Sequence, residues 1–307
     1  MGHGHSHHHH GHDHFKETRE GNKRGLLIAL LITAGIMLLE FFGGLLTNSL
    51  ALLSDAGHML SDSSSLFLSL IAIWFASKSA SPTKSFGFYR FEILAALFNG
   101  VTLFIIAGLI IWEAYGRFFD PPAVASGSMI LIAFIGLAAN LVSAWLLMRK
   151  GDVNDNVNVK SAYLHILGDA LGSAGAIIAG IVMMMTSWYA ADPIISGVVA
   201  LLILKSAWAV IKESLHILME GSPHAVHIQK VKAALTSIDG VKNIHDLHIW
   251  TITSGFDSLS CHLLIEDDKS SQQVLQEAIN RIKAEFHIEH TTIQIEKSKL
   301  QHSECPA

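Results

Sequence analysis

The sequence predicts a polytopic α-helical membrane protein with six transmembrane helices, followed by a small cytoplasmic C-terminal α+β domain. Three observations lead to this fold class. Half of the 307 residues are hydrophobic, and the mean hydropathy is positive, at +0.42. The apolar residues gather into six long runs, whereas the last part of the chain is polar.

Charge and cysteine content exclude several other classes. The net charge of −5 and the absence of a basic stripe argue against nucleic-acid binding. Only two cysteines occur, Cys261 and Cys305, which argues against a disulfide framework. The first apolar run is too long for a cleavable signal peptide.

Residues 1–24 are polar and contain eight histidines, spaced by Gly, Ser and Asp within residues 3–14. Such a segment cannot bury a core, so we expect a disordered cytoplasmic tail that captures metal weakly. A purification tag is the alternative, although tags are usually uninterrupted histidine runs.

The six apolar runs form a predicted transmembrane domain over residues 25–221. Each is long enough to cross a bilayer, which takes about 20 helical residues. They span residues 25–47, 50–76, 91–114, 127–148, 162–186 and 190–211. Lys and Arg flank the helix ends that lie on the same side of the membrane as the N-terminus. Because Lys and Arg are enriched in cytoplasmic loops, both termini should be cytoplasmic.

A helix break at Gly221-Ser222-Pro223 precedes the predicted C-terminal domain, residues 222–307. Hydrophobic periodicity predicts helices at 224–236 and 272–286 and strands at 241–253, 258–266 and 291–296, with a turn over 254–257. The order α-β-β-α-β suggests a two-layer sandwich.

Two His-x-x-x-Asp pairs lie inside apolar runs: His58 with Asp62 in the second, and His165 with Asp169 in the fifth. Residues i and i+4 share a helix face, so each helix presents an imidazole beside a carboxylate. Together they offer a nitrogen and oxygen ligand set that suits tetrahedral zinc. The alternative is that these residues only tie helices together by hydrogen bonds; two pairs with identical spacing favour the metal site.

Other polar residues in the apolar runs are given lesser roles. Asp55, one turn before His58, is expected to hydrogen-bond to a ligating imidazole without binding the metal itself. The alternatives are that it is an entry ligand for the metal or an N-cap-like polar group. Glu40 and Asn99 are expected to bond to other helices. Small residues recur every four positions in the fifth run and predict close helix packing: Gly168, Gly172, Ala176 and Gly180.

Charge links the predicted metal site to protons. Two carboxylates with two neutral histidines carry about −2, which a divalent cation neutralises. An empty, fully ionised site inside a membrane is costly, and protonation removes that cost. Histidine titrates near pH 6.5, so metal release coupled to proton uptake is expected.

Several motifs together carry a resemblance to a known family. These are the two His-x-x-x-Asp pairs, the loop F-G-F-Y-R-F-E at 86–92, Asp192-Pro193, and I-H-D-L-H-I-W at 244–250. The chain resembles the cation diffusion facilitator family, in particular its zinc-exporting branch of bacterial cobalt–zinc–cadmium resistance exporters and animal zinc transporters. The resemblance implies a homodimer, alternating access, divalent-metal/proton antiport and a metallochaperone-like cytoplasmic domain.

The resemblance also implies two sets of metal ligands. The transport ligands would be His58, Asp62, His165 and Asp169, and a histidine at position 58 implies zinc. In the cytoplasmic domain the implied ligands are His245, His262, His290 and Glu296. There the alternative is that the histidines are surface polar residues.

The sequence therefore predicts a secondary transporter and no enzyme: a proton-coupled zinc exporter in the plasma membrane. Its expected partners are zinc as cargo and regulatory ion, protons, the lipid bilayer and a second copy of the chain. Three alternatives remain: a membrane metal sensor or store without flux, a membrane metallohydrolase, and an exporter that also carries cadmium, cobalt, manganese or iron.

Overall fold

The computed structural model describes residues 11–76, 81–150, 157–253 and 255–297, and the side chains of some helical residues, His165 among them, lie outside the described part. The helices and strands follow in the order α1 (Gly11–Thr47), α2 (Leu50–Ala76), α3 (Arg90–Phe119), α4 (Ser126–Lys150), α5 (Val157–Thr186), α6 (Ala191–Leu218), α7 (Ile228–Thr236), β1 (Val241–Thr253), β2 (Phe256–Ile265), α8 (Ser271–Phe286) and β3 (His290–Glu296). They form two compact units, one of residues up to 74 and 96–211, the other of 75–95 and 212 onward.

The first unit has the surface of a membrane protein. Among the described residues, five helices are long and apolar enough to cross a membrane, namely α1, α3, α4, α5 and α6. Only 22–33% of the residues in these spans are buried within the chain. Large apolar side chains such as Leu46, Phe98 and Trp112 are more than 70% exposed, which suits contact with lipid rather than water. The chain is a multi-pass membrane protein.

The second predicted span coincides with helix α2, Leu50–Ala76. Its side chains are described only in part, so its membrane crossing stays a prediction. At the N-terminus the structure departs from the expected tail of residues 1–24, because α1 already begins at Gly11. Once the apolar part of α1 has formed a helix, each added residue extends the helix without a new nucleation cost. Residues 1–10, with six of the tail's histidines, lie outside the described residues.

The start of α2 is fixed by a carboxylate from another helix. Asp192, at the start of α6 and 1% exposed, accepts hydrogen bonds from the Leu50 amide at 2.7 Å and the Ala51 amide at 3.2 Å. The Ser49 hydroxyl also donates to it, at 2.7 Å. These amides have no partner within their own helix, and the negative charge suits the positive end of the helix dipole.

The small residues of α5 allow close packing, as predicted. A Cβ added at Gly180 would lie 2.5 Å from Cγ1 of Ile130 in α4. Ala176 is fully buried. Helices α4 and α5 therefore approach each other more closely than larger side chains would permit.

The C-terminal domain has the predicted α-β-β-α-β order. Its sheet has the strand order β1-β2-β3, with β1 and β2 antiparallel and β2 and β3 parallel. Helices α7 and α8 bury Leu235, Ala278 and Ile282 against the sheet residues Leu259 and Leu263. The result is one hydrophobic core between a helical layer and a sheet.

Two boundaries in this domain differ from the prediction by more than one residue. Strand β2 begins at Phe256, two residues earlier than predicted, so the connection after β1 is shorter than the predicted turn over 254–257. Gly255 has φ +74°, which glycine adopts without steric cost. Helix α7 begins at Ile228, four residues later than predicted, because the chain after Pro223 first makes a turn in which the Val226 amide donates to the Pro223 carbonyl.

The 86–92 motif packs within the second unit. The Thr253 hydroxyl donates to Glu92 Oε2 at 2.6 Å, and Arg90 lies 3.2 Å from Glu220. The rings of Tyr89 and Phe256 meet edge to face, 5.6 Å apart.

Candidate metal centres

Three of the four predicted transport ligands meet in the membrane unit. His58 and Asp62 lie one turn apart on α2, and Asp169 comes from α5. Each offers a ligand atom, and these atoms lie within 4.8 Å of one another. His58 Nε2 is 3.4 Å from Asp169 Oδ1. A nitrogen and two carboxylate oxygens converging in this way match the donor set of a zinc site.

The fourth predicted ligand, His165, belongs to α5 one turn before Asp169. Its side chain lies outside the described part of the chain, so its share in the site stays a prediction. The helical spacing does place its backbone on the same face of α5 as Asp169.

Asp55 lies behind the three-ligand group rather than in it. It is 3% exposed, and its Oδ2 accepts a hydrogen bond from the Ser173 hydroxyl of α5 at 2.8 Å. Gly172 leaves the room for this carboxylate, since a Cβ there would lie 2.7 Å from Asp55 Oδ1. The contact joins the ligand-bearing turns of α2 and α5, which fits the supporting role expected for Asp55.

A second cluster forms on the sheet of the C-terminal domain. His245 on β1 lies opposite His262 on β2, and Glu296 reaches both from β3. Glu296 Oε1 is 3.1 Å from His262 Nδ1, and its Oε2 is 3.3 Å from His245 Nε2. Gln294 orients the carboxylate through a 2.8 Å hydrogen bond to Oε1. The ligand atoms of these two histidines and Glu296 also lie within 4.8 Å of one another.

His290 does not join this cluster. The parallel register pairs His262 with Gln294 and His290 with Ser258, at the other end of β3. Four residues of strand separate the two positions, about 13 Å. The His290 ring instead meets the rings of Phe86 and Phe256 edge to face, at 5.7 and 5.9 Å. Within one chain His290 is therefore an aromatic contact of this unit, and its role as a metal ligand stays a prediction.

Asp246 is a neighbour of the cluster that sequence reasoning missed. It sits at an irregularity of β1, where the register to β2 shifts between His245 and His248. Its φ is +51°, a left-handed conformation that aspartate tolerates better than most residues. Its carboxylate accepts from His248 Nε2 at 2.9 Å and lies 3.8 Å from His262 Nε2.

The surroundings of Asp246 favour its charged form. The hydrogen bond from His248, followed by the charges of His248, His262 and His245, holds the pKa of the Asp246 carboxyl below its usual value. The sequence signal that could have identified Asp246 was its position between two histidines in the motif H-D-L-H at 245–248.

The sequence matches two family descriptions. "Cation efflux transmembrane domain" matches residues 26–219, and "Cation efflux protein, cytoplasmic domain" matches residues 223–298. A cadmium, cobalt and zinc/H(+)-K(+) antiporter of Bacillus subtilis is 47% identical over 284 residues, 92% of this chain and 91% of the relative. The zinc transporter ZitB of Pectobacterium atrosepticum is 42% identical over 289 residues, 94% of this chain and 90% of the relative.

Solved structures also match the chain. One of them is the metal-bound C-terminal domain of the CzcD transporter from Cupriavidus metallidurans, with 38% sequence identity and a TM-score of 0.23. The match covers 23% of this chain and 99% of that one.

Proposed function

The chain belongs to the cation efflux family, and on that premise we propose that it is a proton-coupled exporter that moves zinc out of the cytoplasm. The observation that carries the proposal is the convergence of His58, Asp62 and Asp169 between two helices of the membrane unit. Ionisable residues in such a place mark an ion pathway. The relatives bear the names of transporters and antiporters, which supports a transporter rather than an enzyme.

The donor set supports zinc as cargo. A borderline-soft cation accepts imidazole nitrogen and carboxylate oxygen together, whereas calcium and magnesium prefer oxygen alone. The Bacillus subtilis relative is named for cadmium and cobalt as well as zinc, so a broader metal range is the second candidate. Cobalt and cadmium uptake, measured in the same vesicles as zinc uptake, separates the two candidates.

Proton coupling follows from the charge of the site. Metal binds the deprotonated ligands and protons bind the same ligands, so each displaces the other. At near-neutral cytoplasmic pH the metal is favoured, and on a more acidic outer side the protons are favoured. Zinc export driven by inward proton flow then requires only that the site open to one side of the membrane at a time.

The experiment is zinc flux into proteoliposomes that hold a zinc dye and a pH dye. We expect an opposing proton gradient to stimulate zinc uptake and protons to move against zinc. Asp169→Asn should abolish both signals, and Asp120→Asn, at an exposed position outside the site, should leave both unchanged. Zinc flux that ignores the gradient, with no proton movement, contradicts the coupling, and absence of any flux favours the sensor or store.

We also propose a regulatory zinc site in the C-terminal domain, and a homodimer in the plasma membrane with both termini in the cytoplasm. The convergence of His245, His262 and Glu296 supports the zinc site. Metal between His245, His262 and Glu296 would neutralise charge on this surface. His245→Ala with His262→Ala should lower the number of zinc ions bound per chain and weaken association of the two copies. Equilibrium dialysis and light scattering measure both quantities, and wild-type values in the double variant would contradict the assignment.

A further inference from the structure

A buried carboxyl group outside both metal clusters lies in the middle of the first span. Glu40 of α1 is 0% exposed. Neither of its carboxylate oxygens has a hydrogen-bond partner among the described residues. The expectation that Glu40 would bond to another helix is therefore not met by the residues that the structure describes.

The neighbouring helices leave space for this group. A Cβ added at Gly136 of α4 would collide with Glu40 Oε1, and the same Cβ would lie 3.4 Å from the Ser173 hydroxyl oxygen of α5. The Glu40 carboxyl group therefore points at the junction of α4 and α5, next to Ser173. Ser173 is 1% exposed, so this junction is closed to solvent.

Ser173 connects Glu40 to the helix that carries the metal ligands. Its hydroxyl donates to Asp55 Oδ2 at 2.8 Å, and Asp55 precedes His58 by one turn on α2. Three oxygen-bearing side chains, Glu40, Ser173 and Asp55, thus form a buried row across α1, α5 and α2. We call this row the carboxyl row.

The charges that act on Glu40 are negative. Asp55 of α2 and Asp169 of α5 are the charged groups close enough to repel it, and α4 contributes Gly136 at the contact. An ionised Glu40 would be a third negative charge in a dry environment, which is unfavourable. A metal cation would need several oxygen ligands, whereas neither oxygen of Glu40 has a hydrogen-bond partner among the described residues. A proton meets the requirement with a single bond.

We propose that Glu40 is a proton-carrying site of the exchange cycle, separate from the metal ligands and joined to them through the carboxyl row. Glu40 holds a proton while the metal site is without metal, and it gives the proton up when a divalent cation arrives. The Ser173 oxygen accepts that proton as the Ser173 hydroxyl proton passes to Asp55, and Asp55 then gives its proton to water on the side to which the site is open. One O–H bond forms for each that breaks, and one proton is released to solvent. This inference rests on the proposed function.

The test compares protons released per zinc bound with the pH profile of flux. The background lacks residues 2–14 and carries His245→Ala and His262→Ala, so that only the membrane site binds zinc. Glu40→Gln keeps the shape of the side chain and removes the proton-carrying group. In detergent it should still bind zinc but release about one proton fewer per zinc, measured by calorimetry in two buffers of different ionisation enthalpy. In vesicles its zinc flux should respond less to pH.

A matched control lies on the same helix. Thr47 is 3% exposed, and its hydroxyl bonds to the Gly43 carbonyl of its own helix at 2.7 Å. Thr47→Val removes a buried polar group without touching the carboxyl row, so it should match the background in proton release and pH profile. A change equal to that of Glu40→Gln would point to a general effect of lost polarity and overturn the proposal.

Three further outcomes are decisive. If the background protein couples zinc to protons and Glu40→Gln has the same proton release and pH profile, Glu40 is structural and this inference alone fails. If the background moves zinc without protons, the proposed function fails and takes this inference with it. If Glu40→Gln does not fold, Ser173→Ala decides: an altered pH profile supports the relay, and an unaltered one refutes it.

Discussion

A methyl group placed at Gly172 tests the support of the membrane metal site directly. The added Cβ would lie 2.7 Å from Asp55 Oδ1, whereas ordinary contact begins at 3.4 Å, so one of the two atoms must move by 0.7 Å (3.4 − 2.7). Asp55 cannot turn away without cost, because the Ser173 hydroxyl holds its other oxygen at 2.8 Å. The displacement is therefore passed to the turn of α2 that carries His58.

The expected effect on the site exceeds the effect on folding. Replacing a helical glycine by alanine contributes up to about 1 kcal/mol through helix propensity, and overpacking costs about 1–3 kcal/mol. Gly172→Ala should therefore fold, with a net loss of about 0–2 kcal/mol. Disturbing a residue that supports a metal ligand lowers affinity about 10- to 100-fold, and we expect zinc affinity and flux to fall in that range.

Zinc titration and vesicle flux measure this effect in the background without residues 2–14 and without the cytoplasmic histidine pair. Gly35→Ala and Gly108→Ala are matched controls, because a Cβ at either helical position meets no atom within 4 Å. Both should keep wild-type affinity. If Gly172→Ala melts like the controls and binds zinc as tightly as they do, Asp55 does not support the site and the reasoning is wrong.

Three other changes have defined outcomes. His58→Asp exchanges nitrogen for a harder oxygen and should relax the discrimination between zinc and cadmium; an unchanged ratio of the two fluxes would argue against His58 as a ligand. Deletion of residues 2–14 should preserve flux, with at most a changed apparent affinity, and loss of flux in a variant that reaches the membrane would contradict this. Burial raises the pKa of the Cys261 thiol to about 12, so in a Cys305→Ser background its alkylation at pH 8 should be about 1,000-fold slower than that of a free cysteine and should become fast on unfolding.

The parts of the structure that follow from local periodicity were accessible from the sequence. A His and an Asp four residues apart in an apolar run place both on one helix face, and the structure accordingly places His58 and Asp62 together on α2. The strand predicted over 241–253 likewise has the bounds of β1. Such features involve residues close in sequence, and the repeat of the helix or strand fixes how those residues are placed relative to one another.

Features that depend on how distant segments of the chain pair could not be predicted from the sequence. Whether His290 or Glu296 comes close to His262 is decided by the register of β3 on β2, and the pattern of β3 fits more than one register. Asp246 escaped notice because its left-handed backbone interrupts a strand that reads as regular. Asp192 caps α2 from a segment 142 residues away, and no local signal connects the two.

The distribution of positive charge supports the proposed exchange of cations at this site. Residues 25–76 and 161–204 contain no Lys or Arg, yet these segments supply Glu40, Asp55, Asp62 and Asp169. Inside a membrane such carboxylates are tolerated only when cations neutralise them. Protonated histidine, protons on the carboxyl groups and bound metal are the cations that these helices can offer. A permanent Lys or Arg would stabilise the site without metal and would remove the proposed competition between proton and zinc. The lack of Lys and Arg in these two segments therefore favours a mechanism in which one cation displaces the other.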